Sequence, residues 1–323
     1  MKRTILISIL LLLLLAVMFV LDLTFGSIRI SLAELFSDAE SINRRIMLDL
    51  RLPRAITAVL AGVALSVSGL MMQTLFRNPL AGPYILGVSS GATFGVGLLV
   101  LVGTLFGFAA TNLMTVVAAI IGATFCLLLV LAISYRVKSN VSLLIIGMMI
   151  GSIAGALVNL MQNFANPDAL KLFIVWSLGS LSSVTWHEMP YLLPIFLIGF
   201  IVALLLIKPL NGLLLGENYA RGLGINVNRV RLLIVLATGL LAGGITAFCG
   251  PIAFVGVAVP HIARGLFSTS NHRLIMPASA LIGADLLLVC DLLANQFTYP
   301  LPISTLSALF GAPIIIWIIL KKK

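Results

Sequence analysis

Charge is what this sequence has least of. Only 9% of its 323 residues are charged and 61% are hydrophobic, whereas soluble domains carry charge on about a quarter of their residues. That shortage excludes a water-soluble globular chain. Acidic residues are scarcest, 10 against 20 lysines and arginines. The resulting net charge of +10 still does not describe a nucleic-acid binder, because the bases are scattered at the ends of apolar runs and form no basic face. Cysteine is rare as well. Cys126, Cys249 and Cys290 lie in or beside apolar runs without C-x-x-C spacing, which removes dithiol and zinc-ribbon chemistry and leaves small packing residues.

Several catalytic signatures are missing or broken. No G-x-x-x-x-G-K-[ST] occurs anywhere, so any ATP hydrolysis linked to this chain belongs to another polypeptide. Gly222-Leu223-Gly224 lacks the third glycine of a dinucleotide loop, and Trp186-His187-Glu188 has Tyr191 where H-E-x-x-H needs its second histidine. No metal or cofactor is expected. Gly87-Val88-Ser89-Ser90-Gly91 fits G-x-S-x-G, but that motif works on a strand-to-helix elbow. Here it opens an apolar helix, and His187, His261 and His272 fall at other depths, which argues against an intramembrane serine protease. The candidate coupling carboxylates in the apolar runs are Asp285 and Asp291, few for an ion-coupled carrier. A hydrogen bond between helices is the expected role of Asp285.

What the chain does have is apolar runs of membrane-crossing length. About 17–25 apolar residues cross a hydrocarbon core of ~30 Å, and ten such spans can be drawn: 4–22, 55–74, 84–106, 113–135, 141–162, 190–207, 232–249, 252–268, 276–294 and 302–320. Met1-Lys2-Arg3 before the first run is read as the flank of a retained helix, since no small-residue cleavage site follows. With both termini cytoplasmic, fourteen of the 20 lysines and arginines fall on the inner side, and six (Arg29, Arg44, Arg45, Arg51, Arg54, Lys171) fall outside. That asymmetry satisfies the positive-inside rule. Gly87, Gly91 and Gly95 form a four-residue ladder, Gly147, Gly151 and Gly155 another, and Gly239 with Gly243 a shorter third. Such rows let helix backbones approach closely where lipid supplies no hydrophobic drive.

Three polar segments interrupt the single domain, residues 1–323. An outer segment, 24–54, ends in Leu50-Arg51-Leu52-Pro53-Arg54 at the mouth of the second span. A second outer segment, 162–189, contains Phe173-Ile174-Val175-Trp176, which reads as a short interfacial helix. The third, 215–231, carries Glu217, Arg221, Arg229 and Arg231 with Gly216, Gly222 and Gly224. It is expected on the cytoplasmic side as two short helices joined by a sharp turn near 222–226.

In order along the chain stand Leu50-Arg51-Leu52-Pro53-Arg54, Gly69, Gln73, Arg77-Asn78-Pro79-Leu80-Ala81, Leu86-Gly87-Val88-Ser89-Ser90-Gly91-Ala92, Trp176-Ser177-Leu178-Gly179-Ser180, Ala220-Arg221-Gly222-Leu223-Gly224, Gly250-Pro251-Ile252-Ala253-Phe254-Val255-Gly256, Pro260-His261-Ile262-Ala263-Arg264 and Gly311-Ala312-Pro313. Together they resemble the FecCD-type permeases, membrane subunits of binding-protein-dependent ABC importers for ferric siderophores, haem and cobalamin. The resemblance implies an all-α, polytopic membrane protein of the type II ABC importer kind, with about ten transmembrane helices, in the cell (inner) membrane. It implies a homodimer, or a heterodimer with a paralogous permease, working with two cytoplasmic ATPase subunits and an extracytoplasmic substrate-binding protein. Cargo passes by alternating access, and an iron–siderophore complex is the expected substrate.

Site residues follow motif by motif. The resemblance assigns Arg51 and Arg54 to docking of the binding protein, as guanidinium forks suited to carboxylates. Glu217, Ala220, Arg221 and Gly224 fall on the coupling segment that meets the ATPase, and Ser139 with Asn140 on a cytoplasmic gate. Gln73, Asn78, Pro79, Gly87 and Gly91 fall on the translocation path or on helix packing. The chain departs from the family's pattern at Gly82, where many relatives carry an acid, and at Asn295 and Pro300, where some carry an arginine and a glutamate.

Overall fold

The computed structural model describes residues 2–26, 28–36, 41–107, 110–134, 137, 140–297 and 301–321. Every regular element among them is a helix. In chain order these are α1 (Lys2–Thr24), α2 (Ile42–Phe76), α3 (Val88–Val102), α4 (Asn112–Ser134), α5 (Asn140–Phe164), α6 (Pro167–Ser177), α7 (Met189–Leu205), α8 (Ile207–Leu214), α9 (Glu217–Gly222), α10 (Val227–Cys249), α11 (Val255–Phe267), α12 (His272–Ala294) and α13 (Ile303–Lys321).

Six of the described helices are long and apolar enough to cross a membrane, and the bent pair α7–α8, angled by 50°, makes a seventh. Their outward faces explain why water is not their solvent. On α1, Ile5, Leu6, Ile9, Leu10, Leu12 and Leu13 are all exposed, and a contiguous apolar surface of that kind needs lipid or protein against it.

The bundle is built around α2. This helix packs against α12 and α11 most extensively and also against α10 and α7. Between Thr57 and Phe76 it is nearly all buried. Two crossings are set by single glycines. A Cβ on Gly62 would land on the Gly283 carbonyl of α12, and one on Gly69 would land on the Gly256 backbone of α11. Backbone contact of this kind replaces hydrophobic drive within lipid. The first glycine ladder divides its work: Gly91 and Gly95 face Gly122 and Ala118 of α4, and Gly87 faces Gly147 of α5. Gly155 has open space where its side chain would be, so the second ladder is in contact over only part of its length.

The expected outer loop 24–54 is shorter than drawn. Its last part is helix, continuous with the second span from Ile42 and passing through a π-type turn in which Leu52 N–H bonds to the Met47 carbonyl. The short helix expected in 162–189 is α6, capped by Asn166, whose side chain accepts from Ala169 N–H. Its Phe173 is buried, so α6 packs on the bundle as well as lying at its edge.

Candidate coupling site and basic cavity

α2 has an Arg54 end and an Arg77 end, and polar chemistry collects at both. At the Arg77 end, 215–231 holds one short helix, α9, and a turn into the start of the long α10, where two short helices were expected; α8 leads into it. Gly224 holds a left-handed φ of +79°, a conformation glycine adopts at little cost. Asn226 then caps α10 by accepting from Arg229 N–H at 3.1 Å.

Inside this turn the charged groups are turned on one another. Glu217 pairs with Arg221 at 3.4 Å and with the buried Arg231 at 3.3 Å. Ala220 is fully buried, and its carbonyl accepts from Ile225 N–H at 3.0 Å. Glu217 and Ala220 therefore shape the turn from within. The face offered outward is Tyr219, Arg221 and Leu223, all exposed. Sequence reasoning passed over Tyr219 and Leu223, although large apolar side chains in an otherwise polar turn are themselves the sign of a partner surface.

Two polar contacts tie this turn to the bundle. Arg77, the left-handed cap of α2, donates to the Leu213 carbonyl at 3.4 Å and lies against Gly216. His272, buried at the start of α12, meets Thr74 Oγ1 at 2.8 Å through Nε2 and Asn211 Oδ1 at 2.9 Å through Nδ1. Thr74, His272 and Asn211 thus connect α2, α12 and α8.

Beside these contacts opens a cavity of about 800 Å³, bounded by the ends of α2, α8, α11, α12 and α13 and bearing Arg77, His261, Arg264 and His272. Gln73, half of whose amide reaches the Val257 carbonyl at 3.1 Å, accepts from Arg264 with the other half. Pro79 offers its carbonyl to His261 Nε2 at 2.7 Å, and Asn78 Oδ1 accepts from Leu80 N–H at 2.9 Å. Gln73 and Pro79 therefore line the cavity, while Asn78 closes the turn after α2, and Gly87 and Gly91 are packing contacts. Ser139 lies outside the described residues, and Asn140 is described only through its backbone at the start of α5.

At the Arg54 end the two arginines expected to face a binding protein are engaged within the chain. Arg51 is 5% exposed; it donates to the Leu23 carbonyl at 2.9 Å and to the Ile28 carbonyl. Arg54 pairs with Asp291 at 2.8 Å and donates to Asn295 Oδ1 at 2.9 Å. Buried Asp22 of α1 lies beside the same pair. Asn295 is part of this cluster. Asp285 departs from expectation too: among the described residues no hydrogen-bond partner meets its buried carboxylate. Ser89 sits in the first turn of α3, with no strand before it, so the nucleophile-elbow geometry is not present there.

The FecCD transport family profile matches residues 13–321. The hemin transport system permease protein HmuU of Yersinia pestis is 37% identical over 281 residues, covering 86% of this chain and 84% of its own. The vitamin B12 import system permease protein BtuC of Vibrio vulnificus is 34% identical over 315 residues, covering 96% and 93%. A solved inward-facing ABC transporter described as of metal-chelate type superposes with a TM-score of 0.88 at 32% identity, over 98% of this chain and 99% of that one. Fold and matches together define the class: a multi-pass permease subunit of an ABC importer, resident in the cell (inner) membrane. The chain belongs to the FecCD transport family.

Proposed function

We propose that this permease forms a dimer, homomeric or with a paralogue, whose cargo path runs between the subunits and whose power stroke comes from two cytoplasmic ATPases gripping the 215–231 turn. The observation that carries this reading is the outward face of Tyr219, Arg221 and Leu223 on a turn that is itself pinned to α2 and α12. A turn held this way can pass a displacement of α9 on to the helices it joins. Glu217, Ala220 and Gly224 give it shape, and Arg221 belongs to the contact.

A ten-span topology with both termini cytoplasmic agrees with the bundle. Six long helices and the bent pair, with three shorter apolar helices (Val88–Val102, Val255–Phe267 and Ile303–Ile316), make ten. α1 reaches the Arg54 end through Leu23, and the chain enters α13 there, with Leu301 N–H donating to the Ala294 carbonyl at 3.1 Å beside Asn295. Both chain ends then point to the Arg77 end, where the coupling turn lies.

The cargo of this reading is an iron–siderophore complex, received from an extracytoplasmic binding protein and moved inward by alternating access. Haem or cobalamin is the second reading, favoured by the names of the hemin and vitamin B12 permeases among its relatives. Purifying the binding protein that associates with the permease and recording its ligand spectrum decides between them. A ferric charge-transfer band supports the siderophore reading; a Soret or corrin spectrum replaces it. Uptake that proceeds without any ATPase subunit contradicts the importer reading altogether.

A further inference from the structure

α1 is largely open to its surroundings, yet its buried residues, Asp22 and Leu23, include a carboxyl. Asp22 is fully enclosed. Leu23 is fixed by Arg51, which donates to its carbonyl at 2.9 Å. The Asp22 carboxyl meets the carboxyl of Asp291 on α12. Among the described residues, neither oxygen of Asp22 receives a hydrogen bond, and neither does Asp291 Oδ2. Arg54 Nε stands 2.8 Å from that Oδ2, but its N–H is not aimed at it, and neither atom has a hydrogen bond. Asp291 Oδ1, by contrast, accepts from Asn295 Nδ2 at 3.2 Å.

Two carboxyls in contact present acceptor to acceptor. With both ionised they repel, and their lone pairs stay unmet inside the protein, which is costly. One proton between them removes the repulsion and supplies the missing donor, as in aspartate pairs that share a site. Arg51 does not stand in for that proton, because it aims at the Leu23 and Ile28 carbonyls. The other charged or titratable groups around the pair are Arg51 and Arg54 from α2 and the Cys290 thiol from α12. α11, which also touches α1, carries its His261 and Arg264 at the Arg77 end. Two guanidinium groups beside the pair disfavour a metal cation in the same place.

We infer that Asp22 and Asp291 hold a single proton between them, and that this shared proton clasps α1 to α12 at the Arg54 end. The importer reading neither requires this proton site nor supplies it. In the unfolded chain an aspartate has released its proton well above about pH 4, whereas the folded clasp retains one. The folded state then binds more protons than the unfolded state, so the stability the clasp contributes falls as pH rises.

The test compares the full-length permease in phosphatidylcholine nanodiscs with its Asp22→Asn and Asp22→Ala variants. Asparagine keeps a donor toward Asp291 and does not titrate; alanine keeps no donor. In neutral solution the parent should show the infrared carbonyl band of a protonated carboxyl that Asp22→Asn lacks. Asp285, also buried without a hydrogen-bond partner, is common to all three proteins and cancels in the difference. Between about pH 5 and about pH 8 the melting temperature of the parent should fall by several degrees more than that of Asp22→Asn. At the acid end Asp22→Ala should melt below Asp22→Asn. A missing difference band, or equal pH slopes, overturns the proposal, as does an Asp22→Ala melt equal to that of Asp22→Asn. If Asp22→Ala does not fold, the band and the slope of Asp22→Asn decide alone. A parent melting temperature that rises when sodium replaces choline at fixed ionic strength assigns the site to a cation and overturns the proton. No reading depends on transport, so a failed importer reading leaves this test intact.

Discussion

Arg54 and Asp291 close α2 onto α12 with an ion pair of 2.8 Å, and Asn295, 241 positions from Arg54, completes the contact. Both side chains are nearly buried, at 12% and 3% exposure. Breaking one partner of a buried pair leaves the other charge uncompensated, which typically costs about 3–5 kcal/mol. Asp291→Asn should therefore lower the unfolding midpoint of the purified permease strongly. The triple variant Asp22→Leu/Arg54→Met/Asp291→Leu, which also removes the buried carboxylate beside the pair, should lie closer to the parent than either single change. Charge reversal at Arg54 should also lower the melting temperature; a residue serving only to dock a partner would leave it unmoved.

The glycine crossings predict a sharp contrast. Gly69→Ala pushes a methyl into the Gly256 backbone of α11, and overpacking of this kind costs about 1–3 kcal/mol. Gly155→Ala enters open space and should leave permease stability within about 0.5 kcal/mol. Thermal melts of the two variants in one detergent check the pair.

On the coupling turn, Leu223→Asp removes an exposed apolar contact without touching the Glu217–Arg231 pair. The variant should fold normally and retain the ATPase poorly in pull-down. Gly224→Ala must hold a left-handed backbone at φ +79°, at a cost of about 1–2 kcal/mol, and should weaken ATPase retention less than Leu223→Asp does.

The Thr74–His272–Asn211 chain predicts a third kind of defect. His272→Ala removes the imidazole that bridges Thr74 to Asn211, so α2 is uncoupled from α8 at this point. Asn211 keeps its bonds to the residue 272 backbone N–H at 2.8 Å and to Asn271 at 3.0 Å. ATPase binding should persist, since the outward face is intact, while stimulation of ATP hydrolysis by the loaded binding protein falls several-fold. Full stimulation in this variant would remove His272 from the transmission route.

Much of this architecture was legible because it is local. The turn near 222–226 is written in Gly222, Gly224 and Asn226, and the structure has a left-handed Gly224 and an Asn226 cap there. The short helix in 162–189 is read from its apolar run Phe173-Ile174-Val175-Trp176, and the structure adds an Asn166 cap followed by Pro167. The long-range pairings were not legible. Nothing near Arg54 in sequence indicates that Asp291 and Asn295 will pair with it. One close glycine contact was hidden for a similar reason. Gly62 and Gly283 make no ladder on their own helices, and their meeting is a property of the α2–α12 crossing. The full burial of Ala220 is likewise a property of the folded turn and not of its local sequence.

The central claim is that α9 and its turn carry the ATPase, and a single cross-link tests it most directly. Cys126, Cys249 and Cys290 are buried and free, so a thiol introduced as Leu223→Cys is the one most open to a short bifunctional reagent. In the assembled transporter, that cysteine should join the ATPase in high yield, with a yield that changes when ATP is added. Absence of the cross-link in a preparation that still imports its cargo with ATP would contradict the account.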